Sequence, residues 1–189
     1  MILATRNPHK LREFRRLLGD EQLEPLPDHV ELGPEVGETF ADNALDKART
    51  AAAATGAVAI ADDSGIAAEA LGGRPGVRSA RFAGEHTSDE RNLELLIAGA
   101  PVGSRLTYIC ALAYVDPAGG VERVFEGRCE GRMSAERRGG RGFGYDPVFL
   151  PQGGDGRTMA ELEDAEKDAI SHRGEAVRAL GAWLARGRP

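Results

Sequence analysis

Leu106, Tyr108, Cys110, Leu112 and Tyr114 occupy alternate positions along one stretch of the chain, the period of a β-strand. The turn-forming run Asp116-Pro117-Ala118-Gly119-Gly120 follows, and Val121–Glu130 returns. Strands joined through so short a turn pair antiparallel, so this stretch predicts a long hairpin. Elsewhere helical patterns alternate with short apolar strands, which alone would argue for a parallel sheet. A hairpin set into such a chain predicts an α/β fold with a mixed sheet and flanking helices, not a purely doubly wound one.

The flanking elements carry their own start and stop signals. Met1–Ala4 reads as a short strand. Leu11, Phe14, Leu17 and Leu18 then follow helical spacing, with Asn7 as cap, Pro8 at the first helical position and Gly19-Asp20 as the end. A second helix opens at Thr39, presents Phe40, Ala44, Leu45 and Ala48 on one face, and stops at Gly56. Ala57–Ala61 is a small buried strand that runs into Asp62-Asp63-Ser64-Gly65, so both carboxylates are expected at a strand end. A third helix covers about Ser88 to Ala98. The C-terminal third is helical from about Thr158 and again from Ser171, with Val177, Leu180 and Leu184 as its apolar stripe and Trp183 in the core.

A chain of 189 residues, 41% hydrophobic and 29% charged, is expected to form one folded domain. No apolar run approaches the roughly 20 residues of a membrane helix, and no membrane association is expected. Arg6, Lys10, Arg12 and Arg15 interrupt the stretch where a secretory leader would be apolar. Cys110 and Cys129 fit neither a CxxC nor a zinc spacing, so a reduced, cytoplasmic protein is expected. The net charge of −6 argues against a nucleic-acid partner. Of 24 basic residues only Lys10, Lys47 and Lys167 are lysine, which marks them as candidates for sites needing a compact ammonium.

Four places combine reactive side chains. Thr5-Arg6-Asn7-Pro8-His9-Lys10 sets a hydroxyl, an amide and an ammonium at the mouth of a helix, where free N–H groups favour phosphate. The plain alternative is a simple helix start. Asp62-Asp63-Ser64-Gly65 brings two carboxylates out of an apolar strand, a costly arrangement unless a cation or shared proton compensates. Adjacent strand residues face opposite ways, so one would enter a site and the other anchor the loop. Hard oxygen ligands of this kind suit Mg²⁺, and the plain alternative is an Asp-Gly-type turn whose carboxylates are merely solvated. Gly142-Phe143-Gly144-Tyr145-Asp146-Pro147 would let a flat ligand approach an aromatic ring, with Asp146 accepting from a base edge, unless Phe143 packs in the core. His172 and Arg173, in Lys167 to Arg173, would donate to an anion or carbonyl, unless His172 is simply a surface or cap residue, the commoner case for a lone histidine. Together these point to a metal-dependent site for a nucleoside phosphate.

At these places the sequence resembles the non-canonical purine nucleoside triphosphate pyrophosphatases, the inosine triphosphatase-like family. The likeness rests on Thr5-Arg6-Asn7-Pro8-His9-Lys10, on Gly37-Glu38-Thr39-Phe40 with Asn43-Ala44 and Lys47-Ala48, and on Ala61-Asp62-Asp63-Ser64-Gly65. It continues through Leu71-Gly72-Gly73-Arg74-Pro75-Gly76 with Ser79-Ala80-Arg81, the Gly142–Pro147 run, and Glu166-Lys167 with Ile170-Ser171-His172-Arg173-Gly174.

The resemblance implies a single domain over residues 1–189: an elongated mixed sheet with flanking helices in two lobes, a nucleotide cleft between them, and a homodimer. It implies Mg²⁺-dependent hydrolysis of ITP, dITP and XTP to the monophosphate and pyrophosphate. Thr5, Arg6, Asn7, Pro8, His9 and Lys10 would form the phosphate cradle, with Lys47 and Lys167 adding positive charge. Asp63 would direct water at the α-phosphorus, with Lys47 as a second catalytic group, and Asp63 and Glu35 would hold the metal. Ser64 would meet the phosphates or sugar, and Phe143 would stack on the purine. Gly144, Tyr145 and Asp146 would shape the pocket, while His172 and Arg173 read the 6-oxo edge. Two positions depart from the family pattern: Glu35 stands alone where an acidic pair is frequent, and Arg6 replaces a frequent glycine. The alternatives are a related septum-inhibitor-like pyrophosphatase acting on modified pyrimidine nucleotides, and a nucleotide-binding module without turnover.

Overall fold

The computed structural model describes residues 1–19 and 23–187. Asp20, expected to help end the first helix, lies outside the described residues. Six strands form one sheet in the order β2-β1-β3-β4-β5-β6. They are β1 (Ile2–Leu3), β2 (Glu24–Pro25), β3 (Ala59–Ala68), β4 (Arg105–Asp116), β5 (Val121–Met133) and β6 (Phe149–Pro151). β1 is parallel to β2 and β3, whereas β5 and β6 are antiparallel. The four residues between β4 and β5 make the predicted hairpin, and Asp116 accepts from the amides of Ala118 and Gly119 to form its turn. The mixed α/β sheet is therefore as the hairpin required.

The chain divides into two compact units. The first comprises Met1–Asp63, Cys110–Gly127 and Arg173–Pro189. Its strands alternate so regularly that each face of the sheet has a separate core. Ile2, Ala4, Ala59, Ala61, Ala111 and Ala113 pack under α2 (Phe40–Thr55), through its Ala44, Ala48, Ala51 and Ala52. Leu3, Ile60, Cys110, Leu112 and Tyr114 pack against Phe14 of α1 (Pro8–Leu18) and against Ala176, Val177 and Leu180 of α5 (His172–Ala185). Thr39 caps α2 by accepting from the Asp42 amide, and Gly56 ends it in the left-handed conformation that a side chain would penalise. Trp183 is half-buried, not fully in the core, and meets the Tyr114 ring edge-on with centroids 5.1 Å apart.

The second unit comprises Ser64–Ile109 and Arg128–His172. Ile66, Leu93, Leu96, Leu106, Tyr108, Val148, Phe149 and Met159 fill its core, beside α3 (Asp89–Gly99) and α4 (Asp164–Ile170). Ser88, the expected first residue of the third helix, is instead the cap of α3.

Three expectations change. β3 does not stop at Ala61: it continues through Asp62 and Asp63 to Ala68. Gly65 permits this, because a Cβ there would collide with the Ser79 hydroxyl and come within 2.6 Å of the Gly76 carbonyl. The Ser79 hydroxyl also accepts from the Ile66 amide at 2.8 Å, serving a backbone donor beside the close approach. Secondly, β5 extends to Met133, beyond the predicted Glu130. Thirdly, the segment after Thr158 begins as a 3₁₀ turn, Met159–Glu161, before α4.

Candidate active site

Because β3 runs through both carboxylates, Asp62 and Asp63 leave the strand on opposite faces. Asp62 follows Ile60 towards α1 and α5. Its Oδ2 lies 3.1 Å from Lys10 Nζ and 3.3 Å from Arg173 Nε. Arg173 Nη1 in turn donates to buried Glu13 at 2.9 Å. Two cations thus compensate two buried acids, and removing either would leave buried negative charge less well compensated. On this face burial, followed by the negative charge of Asp62, pushes the Cys110 thiol far above its ordinary range.

Asp63 follows Ala61 towards α2. Asn43 and Lys47 are four residues apart and share one helical face, so both reach this carboxylate. Asn43 Nδ2 donates to Asp63 Oδ2 at 2.8 Å, and Lys47 Nζ lies 3.8 Å from Oδ1. The same ammonium donates to Glu35 Oε1 at 2.5 Å. Burial raises the proton affinity of Asp63, and Glu35 adds to the rise; the pull of Lys47, Lys10 and Asn43 does not cancel it. Lys47 is buried too, which disfavours its charge, yet attraction to Asp62, Asp63 and Glu35 outweighs that and leaves its pKa raised. A cavity of about 330 Å³ opens beside this cluster, with Gly33, Pro34, Glu35, Asn43 and Lys47 among its walls.

The N-terminal run is organised around the start of α1. Thr5 Oγ1 accepts from the Asn7 amide, and Asn7 Oδ1 accepts from the amides of His9 and Lys10. Pro8 occupies the first turn, where no amide proton is needed. His9 Nδ1 lies 2.7 Å from the Arg12 guanidinium. Arg6 does not turn its side chain to a phosphate cradle. Its guanidinium donates to the carbonyls of Leu26, Pro27, Asp28 and Val30, because a planar fork can serve several carbonyls of one loop.

The second unit gathers the glycine-rich loop. Asp146 is buried and accepts from Tyr108 Oη at 2.9 Å, Lys167 Nζ at 2.6 Å and the Phe143 amide at 3.1 Å. The Lys167 ammonium also lies 5.5 Å from the centre of the half-buried Phe143 ring, within cation–π range. Gly142, at φ +71°, has no room for a Cβ, which would run into the Asp146 carboxylate. The Gly144 amide donates to Asp89 at 3.2 Å. Tyr145 is buried and donates to the Ser79 carbonyl at 2.7 Å; burial raises its phenol pKa. His172 is buried with its ring stacked on Tyr108, centroids 4.7 Å apart and planes 6° from parallel. Ser64 is half-buried in β3.

Five of the predicted site residues are engaged by protein partners in this structure. Arg6 braces a loop. Asp146 accepts from three internal donors, and Tyr145 is buried. Lys167 pairs with Asp146 and lies over the Phe143 ring. Arg173, expected at a base edge, directs Nε and Nη1 at Asp62 and Glu13.

The Ham1 family profile matches residues 1–183. The chain belongs to the Ham1 family. Relatives include the dITP/XTP pyrophosphatase of Frankia alni, 50% identical over 97% of this chain and 96% of that one. The dITP/XTP pyrophosphatase of Mycolicibacterium paratuberculosis is 47% identical over 95% and 93%. Among solved structures, a HAM1 protein from Coxiella burnetii superposes with a TM-score of 0.84 at 39% identity, covering 98% of both chains.

Within this Ham1 chain, three side chains of these clusters are given no site role by the sequence: Asn43, Glu13 and Tyr108. Asn43 was detectable as the residue one helical turn before Lys47, and Glu13 as the acid three residues after Lys10 on the same helix. Tyr108 carried no signal beyond strand periodicity.

The donor set at Asp63 also tests the fit of a magnesium ion. Mg²⁺ is held by one or two carboxylates together with substrate phosphates, not by an all-protein cage. Among the described residues no group of three or more His, Cys, Asp or Glu is arranged to hold a metal. Glu35 and Asp63 do offer two carboxylates within ion-pair distance of one cation, the Lys47 ammonium. The residues present fit Mg²⁺ in its substrate-bound form.

Proposed function

We propose that the chain hydrolyses dITP, XTP and ITP to the nucleoside monophosphate and pyrophosphate. It is an enzyme of the nucleoside triphosphate pyrophosphohydrolase class. The observation that carries the mechanism is the Asp63 carboxylate, raised in proton affinity and addressed at separate oxygens by Asn43 and Lys47.

Asp63 accepts a proton from water as the water oxygen bonds to the α-phosphorus. The bond from that phosphorus to the bridging oxygen breaks, and pyrophosphate leaves. Lys47 stabilises negative charge developing on the phosphate oxygens, a role suited to a compact ammonium. Lys10 and the N-terminus of α1 hold the distal phosphates, with Asp62 fixing the Lys10 ammonium. Glu35 and Asp63 would hold Mg²⁺, which when bound neutralises charge on the triphosphate. Phosphoryl transfer requires chiefly this positioning and neutralisation.

Base recognition belongs to the second unit. Phe143, held through its amide and ring by Asp146 and Lys167, offers a face for stacking. The donors to a 6-oxo group are His172 and the Arg173 N–H groups not directed at Asp62 and Glu13. Such donors favour hypoxanthine and xanthine over adenine, whose 6-amino group would leave them unpaired. Ser64 meets sugar or phosphate. The enzyme acts as a homodimer on the cytoplasmic nucleotide pool; among the described residues no helix is long and apolar enough to cross a membrane.

The test is pyrophosphate release from dITP, XTP, ITP, ATP and GTP, each with Mg²⁺ and with chelator. Release from the first three alone, abolished by chelator, is expected. Binding of ITP without release would overturn the enzymatic reading.

A further inference from the structure

Asn43 lies within α2, almost fully buried, with both ends of its amide engaged. Its Oδ1 accepts from the Gly37 amide at 2.8 Å, and its Nδ2 donates to Asp63 Oδ2 at 2.8 Å. Each bond crosses to a different segment: the first fixes the loop that carries Glu35, and the second fixes the carboxylate on β3. The Gly37 backbone is held so near that a Cβ would stand 2.6 Å from Asn43 Oδ1 and 2.9 Å from Asp42 Cβ. Thr39 caps the helix one turn earlier, so the backbone beneath Asn43 is set as well.

The division of Asp63 between two donors gives the amide a specific task. Lys47 lies on the Oδ1 side and Asn43 on the Oδ2 side. The ammonium, 3.8 Å from Oδ1, constrains the carboxylate plane less than a 2.8 Å hydrogen bond to the other oxygen does. A neutral amide does so without adding charge that would lower the carboxylate's basicity as strongly as a second lysine.

We infer that Asn43 is a positioning residue, which holds the Asp63 carboxylate plane and the Glu35 loop in one fixed relation through the two ends of its side-chain amide. The inference rests on the reading of Asp63 as the group that activates water. Its effect falls on turnover more than on substrate binding, because both ends of its amide are engaged by protein groups.

The test is steady-state kinetics with dITP on Asn43→Ala, Asn43→Asp, Gly37→Ala and Asp63→Asn. Loss of an orienting hydrogen bond behind a reactive carboxylate lowers activity by about 10- to 100-fold, and this is expected in kcat for Asn43→Ala, with KM little changed. Asn43→Asp keeps size and the acceptor for Gly37 but turns an oxygen towards Asp63, so kcat falls at least as far. Gly37→Ala leaves Asn43 in place and displaces its amide from outside, on a half-buried loop, so it tests the idea even if the buried variants fail to fold. A lower kcat at unchanged KM is expected, and the double variant with Asn43→Ala should be no slower than Asn43→Ala alone. Wild-type kcat in Asn43→Asp or in Gly37→Ala overturns the inference, as does an effect confined to KM. Wild-type kcat in Asp63→Asn overturns instead the catalytic reading on which it stands.

Discussion

Neighbouring aspartates on β3 differ in what surrounds them, and that difference separates their chemistry. Asp62 receives Lys10 and Arg173 on one face; Asp63 receives an amide and a more distant ammonium on the other, and keeps a raised proton affinity. Asp63→Asn preserves shape while removing the proton acceptor, so kcat is expected to fall by about 10²–10⁴-fold, the usual contribution of general-base catalysis. Equilibrium binding of dITP to the same variant should persist, measurable by calorimetry. Phe143→Ala belongs to the other cluster and should act on KM, by about the 1–3 kcal/mol of base-on-aromatic stacking. At this scale much of the candidate site could be read from the chain, since strand alternation alone assigns Asp62 and Asp63 to opposite faces. What could not be read were partners far apart in sequence. Nothing near Arg173 announces Glu13, 160 residues away, and nothing near Asp146 announces Tyr108 or Lys167.

Among the elements, β3 shows how one residue without a side chain extends a strand. Sequence reading ended it at Ala61, because paired aspartates followed by serine and glycine resemble a turn. The structure instead runs on to Ala68, with Gly65 pressed against Ser79 and the Gly76 carbonyl. Both contacts are short, and one is to backbone that cannot rotate away. Gly65→Ala should therefore cost about 1–3 kcal/mol, the range for overpacking a filled interior. Thermal unfolding measures the loss, and an unchanged midpoint would show that the Gly76 segment yields freely. Helices were easier to place than strands. Asn7 and Thr39 cap where their amide or hydroxyl chemistry predicts, because capping is a local interaction. The extent of β3 and β5 depends on partners elsewhere in the chain, which periodicity does not encode.

For the whole molecule, connectivity matters more than any single contact. The chain passes from one unit to the other after Asp63, Ile109, Gly127 and His172, so neither unit is one continuous segment. Residues 1–63 lack Leu112 and Tyr114 of β4 and Val177 and Leu180 of α5, which complete the core around Phe14. That core cannot close until residues beyond 172 have been made, and by then the intervening unit is also present. A chain threaded in this way is expected to unfold in one cooperative transition. Trp183, the only tryptophan, reports the first unit through its contacts with Tyr114 and Phe125, while far-UV circular dichroism reports both. Urea curves followed by the two signals should coincide, the standard sign of two-state behaviour. Adding dITP to the Asp63→Asn protein sharpens the comparison, since a ligand at 100 times its Kd stabilises the native state by about 2.7 kcal/mol. Both curves should then move to higher urea together, and ATP at the same concentration should move neither. Curves that separate, or a dITP shift seen by one signal alone, would mean that the two units fold independently despite sharing four crossings of the chain.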